Sequence, residues 1–582
     1  MGGLCLLLAL AAGFVPYGGP GPDFTEAVLL LSGASAIEEL DEQELERYRH
    51  LAAHPLDLNS AGRGRLLASG LLSRYQTASL LDYRESGGDI LSYAELAMVD
   101  GFGPEFAEAL RHFTVLRSRG APGQAADRRV RQDFLARASV REKSGTGAAW
   151  GLKYGLRLGE TAELNWAART TYGVPKAGPG CASIALHGRR IPGRLVLGDY
   201  YARFGQGLVL WSGFSLSGVP SVESFRKNGT GVNASSSFTR QMHGAAFSLD
   251  LGRWDLSAGF SWPGTVLGNV SRHWNSLSMG MTGTFDTGSG RGAASLDFKA
   301  GTAGLSIFGE AAAESLGGSI SPAGTAGIIW TPHYGTKLAA LARYYSPGFS
   351  GRGAGAVRSS TKVSDEAALA LGFESRCFSG TADYARHPGK GGSRFKAVAT
   401  ASLPLVISAD GITLDNAGGF ATDDGGDDGK VRLKPGLRLA VRASTGERTR
   451  TDLRGELHAS RGPLRLNARY NALWCRDFAW LWNAEGGLEK ERFTSYLRFT
   501  LFKVDDWDDR IYAYERDLPG AFSVPAFYGR GFSLSAVAGL KLEGRGGWRH
   551  RFSLKAGATR YPWTEPAKAG AAEFRIQYSA AH

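Results

Sequence analysis

From Trp150 to Leu158 the chain alternates. Trp150, Leu152, Tyr154, Leu156 and Leu158 fall on one parity, and Gly151, Lys153, Gly155 and Arg157 on the other. Successive strand residues point to opposite faces, so this pattern predicts a strand that is apolar on one side and wet on the other. After a short break at 160–163 the alternation resumes, with Leu164, Trp166, Ala168 and Tyr172 opposing Asn165, Arg169 and Thr171, which predicts a hairpin. The same period returns where Val431, Leu433, Leu437, Leu439 and Val441 oppose Arg432, Lys434, Arg438 and Arg442. It returns again where Leu464, Leu466, Ala468, Tyr470 and Trp474 oppose Arg465, Asn467 and Arg469. A soluble sandwich also alternates, and a secreted all-β repeat protein is the alternative. The arginine-rich polar face, the aromatics toward strand ends and the unequal connections point instead to an outer-membrane β-barrel.

The first barrel strand is expected near Phe134, Ala136, Ala138 and Val140 on the lipid side, with Asp133, Arg137, Ser139 and Arg141 inside. Phe532 to Leu542, Arg551 to Thr559 and Ala571 to Tyr578 close it. Dividing about 450 residues by typical strand-plus-connection lengths predicts a large antiparallel transmembrane β-barrel of roughly 14 to 18 strands over 129–582. Composition agrees: 81 glycines with only 22 prolines suit strands and tight turns, and 11% aromatics suit interface girdles. No apolar run beyond the N-terminus is long enough for a transmembrane helix.

Residues 1–15 read as a secretory signal peptide, with an apolar core from Leu4 to Val15 and small residues at Ala9 and Ala11, although no Lys or Arg precedes the core. Cys181, Cys377 and Cys475 are isolated, so spacing builds neither a disulfide framework nor a metal site.

Residues 23–118 carry a different period. Ile37, Leu40, Leu45 and Tyr48 follow helical spacing. Ser73 with Gln76, and Ser92 with Glu95, have the spacing of capping boxes, and Ala78, Leu81 and Tyr83 are the expected buried stripe of the helix after Ser73. Pro104 stands at a first helical position after Gly101-Phe102-Gly103. This is a small all-α N-terminal domain, joined to the barrel by a linker over 119–128.

Two short helix pairs with glycine in each turn resemble a tandem helix-hairpin-helix domain of the ComEA type, over 55–116. The resemblance implies non-specific DNA binding, with hairpin amides on phosphates. The DNA-phosphate candidates are Gly70, Leu71, Gly101, Phe102 and Gly103, with Arg74 and Arg111 beside them. A glycine turn and a helix N-terminus suit an anion, but Leu72 stands where the first hairpin should have its second glycine. Together with the blocks Gly198 to Leu208 and Asp505 to Gly531, these helices make the chain resemble the helix-hairpin-helix-containing outer-membrane barrel proteins of Gram-negative bacteria.

Charge changes the picture. Residues 23–118 hold 16 acidic residues against 8 arginines and no lysine, so they carry −8 while the rest of the chain, out of a total of +12, carries +20. Within 55–118 the balance is closer, 8 acids against 6 arginines. Strand parity sends Lys153, Arg157, Arg169, Arg432, Arg438, Arg442, Arg465 and Arg469 into the lumen, a wall that favours anions. Those arginines are otherwise expected to pair with luminal carboxylates such as Glu456, or an acidic N-terminal domain to dock into the basic barrel as a plug.

No nucleophile elbow, His-Glu-x-x-His or phosphate-loop spacing occurs. Asp505, Asp506, Asp508 and Asp509, like Asp423, Asp424, Asp427 and Asp428, read first as solvated loops and second as cation sites. The expectation is therefore a non-enzymatic outer-membrane barrel with no cofactor, catalytic residue or metal. Its N-terminal domain faces the periplasm, and its partners are membrane lipid, DNA without sequence preference, or a periplasmic protein. The alternatives are an envelope scaffold and an anion-selective porin.

Overall fold

Each alternating run becomes a strand paired antiparallel with its sequence neighbour, and the ring closes where the first strand, Val130–Glu142, pairs with the last, Ala571–Ala581. The computed structural model describes residues 24–117 and 130–582, apart from 35, 41, 54, 143–145, 160, 175, 179, 189–192, 275–276, 303, 334–335, 376, 404, 409–410, 415–430, 522 and 566–567. The signal segment and the linker lie outside the described residues. Passing round the wall from each strand to its hydrogen-bonded neighbour crosses 24 strands before returning to the start.

That count corrects the expected 14 to 18. The expectation assumed longer repeating units, whereas Val130 to Ala581 spends only about 19 residues per strand and connection. Glycine is the physical reason. Turns such as Gly317-Gly318, with φ of +58° and +84°, reverse the chain in two residues, so more strands fit the same length. The Gly/Ala-rich stretch after Arg291 divides into Arg291–Thr302 and Leu305–Leu316.

Side-chain parity separates two solvents. On Val431–Ser444, Leu437 and Leu439 are 53% and 42% exposed on the outside, while Arg438 between them reaches inward to Glu39 at 3.1 Å. Phe134, Trp150, Trp166, Tyr470 and Trp474 are likewise exposed on the outer face. A closed cylinder leaves no sheet edge, and with an apolar outer belt it fits a bilayer, the outer membrane being where such barrels reside. Among the described residues no helix is long and apolar enough to cross a membrane.

The two ends differ. Turns at one end are mostly short, as at Gly252-Arg253 and Gly462-Pro463, and the last strand ends there; the segment 403–430, only partly described, is the exception. The long connections 204–241, 346–365 and 505–528 all leave the opposite end. The first of these turns inward. Glu310 on the wall accepts hydrogen bonds from Gln206 N and Leu208 N at 2.7 and 3.0 Å, and Phe204, Leu208 and Val209 bury against Tyr345, Phe349 and Val363.

The N-terminal residues form helices Phe24–Ser32, Glu42–Ala53, Arg63–Ala68, Arg74–Ser86, Tyr93–Ala97 and Pro104–Leu110, tied by the parallel pairing of Leu56-Asp57 with Thr114-Val115. Both arms of the Ser73–Gln76 capping box are made. At Ser92 only one is: Ser92 accepts from Glu95 N, but the Glu95 carboxylate takes Leu91 N and Tyr83 Oη instead. Leu80 is fully buried, with Tyr75, Gln76 and Thr77 buried before it, while Ala78, Leu81 and Tyr83 are only partly so, so the buried stripe of this helix differs from the expected one. Phe214, Leu216 and Tyr514, from the inturned loops, complete this helical core, so the helices sit inside the barrel.

Candidate functional site

What joins the helices to the wall is charge of opposite sign. Glu38, in the short turn Ile37–Glu39, accepts from Arg454 at 3.3 Å and from Arg469, two lumen-facing residues on adjacent strands. It also accepts from the Tyr514 amide at 3.0 Å. Burial alone would raise its carboxyl, but Arg454, Arg469 and that amide outweigh burial and hold it well below the usual carboxylate range. Glu39 meets Arg438 and Glu44 meets Arg203, both at 3.1 Å, and Glu26 meets Lys434. Burial opposes ionisation of Glu44 too, yet Arg47 and Arg203 keep its carboxyl below the ordinary value.

Nearer the short-turn end, Arg63 reaches Asp250 and Asp255 at 3.0 and 2.5 Å, Lys299 lies 5.0 Å from the Tyr75 ring centre, and Lys337 binds Glu105. From the long-loop end, Arg49 donates to Tyr514 Oη, Ala521 O and Leu518 O at 3.1, 2.9 and 3.4 Å.

The helices do not fill the lumen. A cavity of about 1930 Å³ remains between Glu26–Ser69 and the wall strands from Thr400 round to Arg203, lined by 19 Lys or Arg against 11 Asp or Glu. Its surplus is cationic, so the space attracts anions.

The lumen candidates divide by partner. Lys153, Arg157, Arg432, Arg438, Arg465 and Arg469 line the cavity. Of these, Arg438 and Arg469 are engaged by Glu39 and Glu38, Arg465 by Glu489 at 3.3 Å, and Lys153 lies 4.2 Å from the Phe238 ring centre. Arg169 contacts Thr239, and Arg442 faces Glu447 at 3.8 Å, both toward the long loops. Glu456 does pair with a lumen arginine, Arg454 at 2.5 Å.

The hairpin candidates sit otherwise. Gly70 N donates to Leu67 O, Leu71 N to Ser69 Oγ and Phe102 N to Val99 O, each at 3.1 Å, so these amides are spent inside their turns. The Leu71 and Phe102 side chains are buried. Gly70, at φ +67°, backs onto the Arg47 guanidinium, and Gly101, at φ +86°, onto the Tyr75 ring, whereas Gly103, at φ +74°, has open space behind it. Arg111 pairs with Glu108 at 2.7 Å and lies over Tyr93; the Arg74 side chain lies outside the described residues.

Other chemistry is accounted for by packing. Asp505 pairs with Arg530, Asp506 and Asp508 with Arg476, and buried Asp509 accepts from Arg476 N and Asp477 N. The 423–428 cluster lies outside the described residues, and among the described residues no group of His, Cys, Asp and Glu is arranged to hold a metal. Ser278, His273 and Asp255 form a hydrogen-bonded row at 2.9 and 2.8 Å, but Asp255 is engaged by Arg63 and none of the three lines the cavity.

Glu38, Glu39, Glu44, Arg454 and Lys337 were not singled out by sequence reasoning, and Arg203 and Tyr514 stood out only as members of the blocks Gly198 to Leu208 and Asp505 to Gly531. The available signal was the acidic run 38–46 facing a basic barrel.

No family model and no curated protein matches the sequence. Among solved structures, similar chains include the translocation pore of the P pilus usher PapC, at 10% identity over 78% of this chain and 99% of that chain with a TM-score of 0.38. Two others are from Pseudomonas aeruginosa. OccK11 (OpdR) is 10% identical over 78% of this chain and 95% of that chain, TM-score 0.29. OccK3 (OpdO) is 10% identical over 78% and 96%, TM-score 0.30. At such identities and scores these likenesses decide nothing about what this chain does.

Proposed function

We propose that the chain is a non-enzymatic outer-membrane channel for anionic solutes, held closed by its own N-terminal helices, with the short-turn end in the periplasm. The observation that carries this reading is sign-matched docking: Glu26, Glu38, Glu39, Glu44 and Glu105 on the helices each meet a cation on the inner wall. A barrel of 24 strands without internal filling leaves an aqueous lumen. Withdrawing the acidic helices uncovers Arg438, Arg454 and Arg469 beside Arg157, Arg432 and Arg465, a surface that admits anions and rejects cations. DNA binding by the hairpins draws no support from their geometry, because the Gly70, Leu71 and Phe102 amides are internally bonded and residues 23–118 together carry −8.

Planar-bilayer recordings of the full chain test this. The variant combining Glu38→Gln, Glu39→Gln and Glu44→Gln is expected to raise conductance, with a reversal potential on the anion side. A cation-selective pore refutes the reading. So does a triple variant that conducts no more than the parent although its helices have become open to protease.

A further inference from the structure

Where the wall runs through the strands Phe493–Val504, Gly529–Glu543 and Arg549–Arg560, the missing side chain of Gly539 leaves a notch in the lumen face. Thr494 is its register partner on one side and Ser553 on the other, and all three line the cavity. A Cβ on Gly539 would lie 2.9 Å from Thr494 Oγ1, 3.7 Å from Ser553 Oγ and 3.9 Å from Arg551 Nη2, so two hydroxyls and a guanidinium converge on one point. Ser553 is 2% exposed, and neither its Oγ nor the buried Nε of Arg551 has a hydrogen-bond partner among the described residues. Arg498 and Lys555, on two of the same strands, are held by Glu485 at 2.9 Å and Glu515 at 3.0 Å, but no carboxylate among the described residues pairs with Arg551. Toward the short-turn end the cavity is lined by exposed Arg492, Lys541 and Arg549 against exposed Glu491 and Glu543, so the approach to the notch keeps a cationic surplus.

We infer that the notch at Gly539 holds the phosphate group of a small solute, its oxygens accepting from Thr494 Oγ1, Ser553 Oγ and the Arg551 guanidinium. A tetrahedral oxyanion offers acceptors toward all three strands at once, and a guanidinium fork matches two of its oxygens. A carboxylate has only two oxygens to share among the three donor groups, and a lipid headgroup is kept out because the notch faces the lumen. Such a site rests on the channel reading and names a solute class for it, yet the two can fail apart. A chain that binds phosphate here but passes no anions loses the channel and keeps the notch, whereas an anion-selective pore without phosphate binding loses only the notch.

The test is calorimetric titration of the full chain, in maltoside detergent and chloride buffer, with inorganic phosphate and separately with acetate. Saturable phosphate binding is expected. Gly539→Ala, whose methyl group fills the notch, and Arg551→Gln are each expected to weaken it by roughly tenfold or more. Ser553→Ala, which removes one oxygen and adds no bulk, is expected to weaken it by about fivefold. Gly155→Ala adds a methyl group to the lumen wall three strands further round, where its nearest neighbour is Asn165 Oδ1 at 3.6 Å, and is expected to leave binding unchanged. An intact heat-modifiable band verifies that each variant is folded. No saturable binding, undiminished binding in Gly539→Ala or Arg551→Gln, equal loss in Gly155→Ala, or acetate bound as tightly as phosphate each overturns the proposal.

Discussion

Replacing Glu38 by Gln keeps the shape of the side chain and deletes the charge that two wall arginines share. The Glu38 side chain is 11% exposed, so Arg454 and Arg469 lose a partner largely shielded from water. Breaking a buried pair costs about 3–5 kcal/mol when the remaining charge is stranded. Here it is not wholly stranded, since Arg454 keeps Glu456 at 2.5 Å and Arg469 keeps Asn471 at 2.5 Å and Tyr512 O at 3.0 Å. The lower end, about 3 kcal/mol, is therefore expected, which is roughly a hundredfold in the docking equilibrium. Trypsin cleavage after Arg49, which is covered by Tyr514, Leu518 and Ala521 in the docked state, reports that equilibrium when reclosing is fast. Glu38→Gln should speed the cut by about that factor, and combining it with Arg469→Gln should give less than the sum of the single effects. Equal cleavage rates in parent and Glu38→Gln, or strict additivity, refute the reasoning. The pH sign follows from the lowered carboxyl. Its contribution is complete above the unfolded carboxyl range, near ~4.3, and is lost only as pH falls through the still lower docked value. At pH 5 the parent should remain closed.

Lys227 predicts a slope of the same sign in a higher pH window. Burial first, then repulsion from Arg358 and Arg203, pushes it down to about 7 against the pull of Glu44, so the unfolded loop binds more protons from about pH 7 to its ordinary value near ~10.4. Packing of 204–241 should tighten as pH rises through that window, and Lys227→Met should flatten the trend in hydrogen exchange. Gly101→Ala puts a methyl group 2.6 Å from the Tyr75 ring at positive φ, whereas Gly103→Ala meets open space. The first should destabilise the helices by about 3 kcal/mol and the second by about 1, seen as protease sensitivity at rising temperature. Leu439→Arg puts a guanidinium into lipid at a cost of about 2–4 kcal/mol, read as loss of the heat-modifiable folded band, whereas Thr400→Arg, on the lumen face, should leave that band intact.

Period-two alternation was enough to read the wall, because a strand between lipid and water has to sort its side chains one by one. Leu437, Arg438 and Leu439 announce their faces without knowing what lies opposite. Strand number was less legible, since a Gly/Ala run such as that after Arg291 carries little contrast and can be cut in several places. Helix signals held where they were local, as at Ser73 with Gln76 and at Pro104. The wall contacts of the helices were not legible individually. Glu38 meets Arg454 and Arg469 across more than 400 residues of chain, and no local pattern encodes such a pairing. Only the summed charges, −8 against +20, foreshadowed it.

Those charges also determine what kind of closure the helices can make. Ion pairs on the lumen wall can be exchanged for water and salt, so their rupture is reversible, although a shielded one such as Glu38 with Arg454 and Arg469 opposes it by about 3 kcal/mol. The apolar contacts behave differently, and they lie on the other side. Phe214, Leu216 and Tyr514 come from loops that enter from the long-loop end, and Ser221 Oγ from one of those loops donates to Gly33 O at 2.6 Å. A pull from the short-turn end must therefore break wall pairs that water can replace and also strip apolar surface that water cannot replace. A rearrangement of loops 204–241 and 505–528 removes the second cost beforehand. On the proposed channel reading, the helices would answer to both mouths, with selectivity expected from the arginines of the wall and readiness to open from the loops above them.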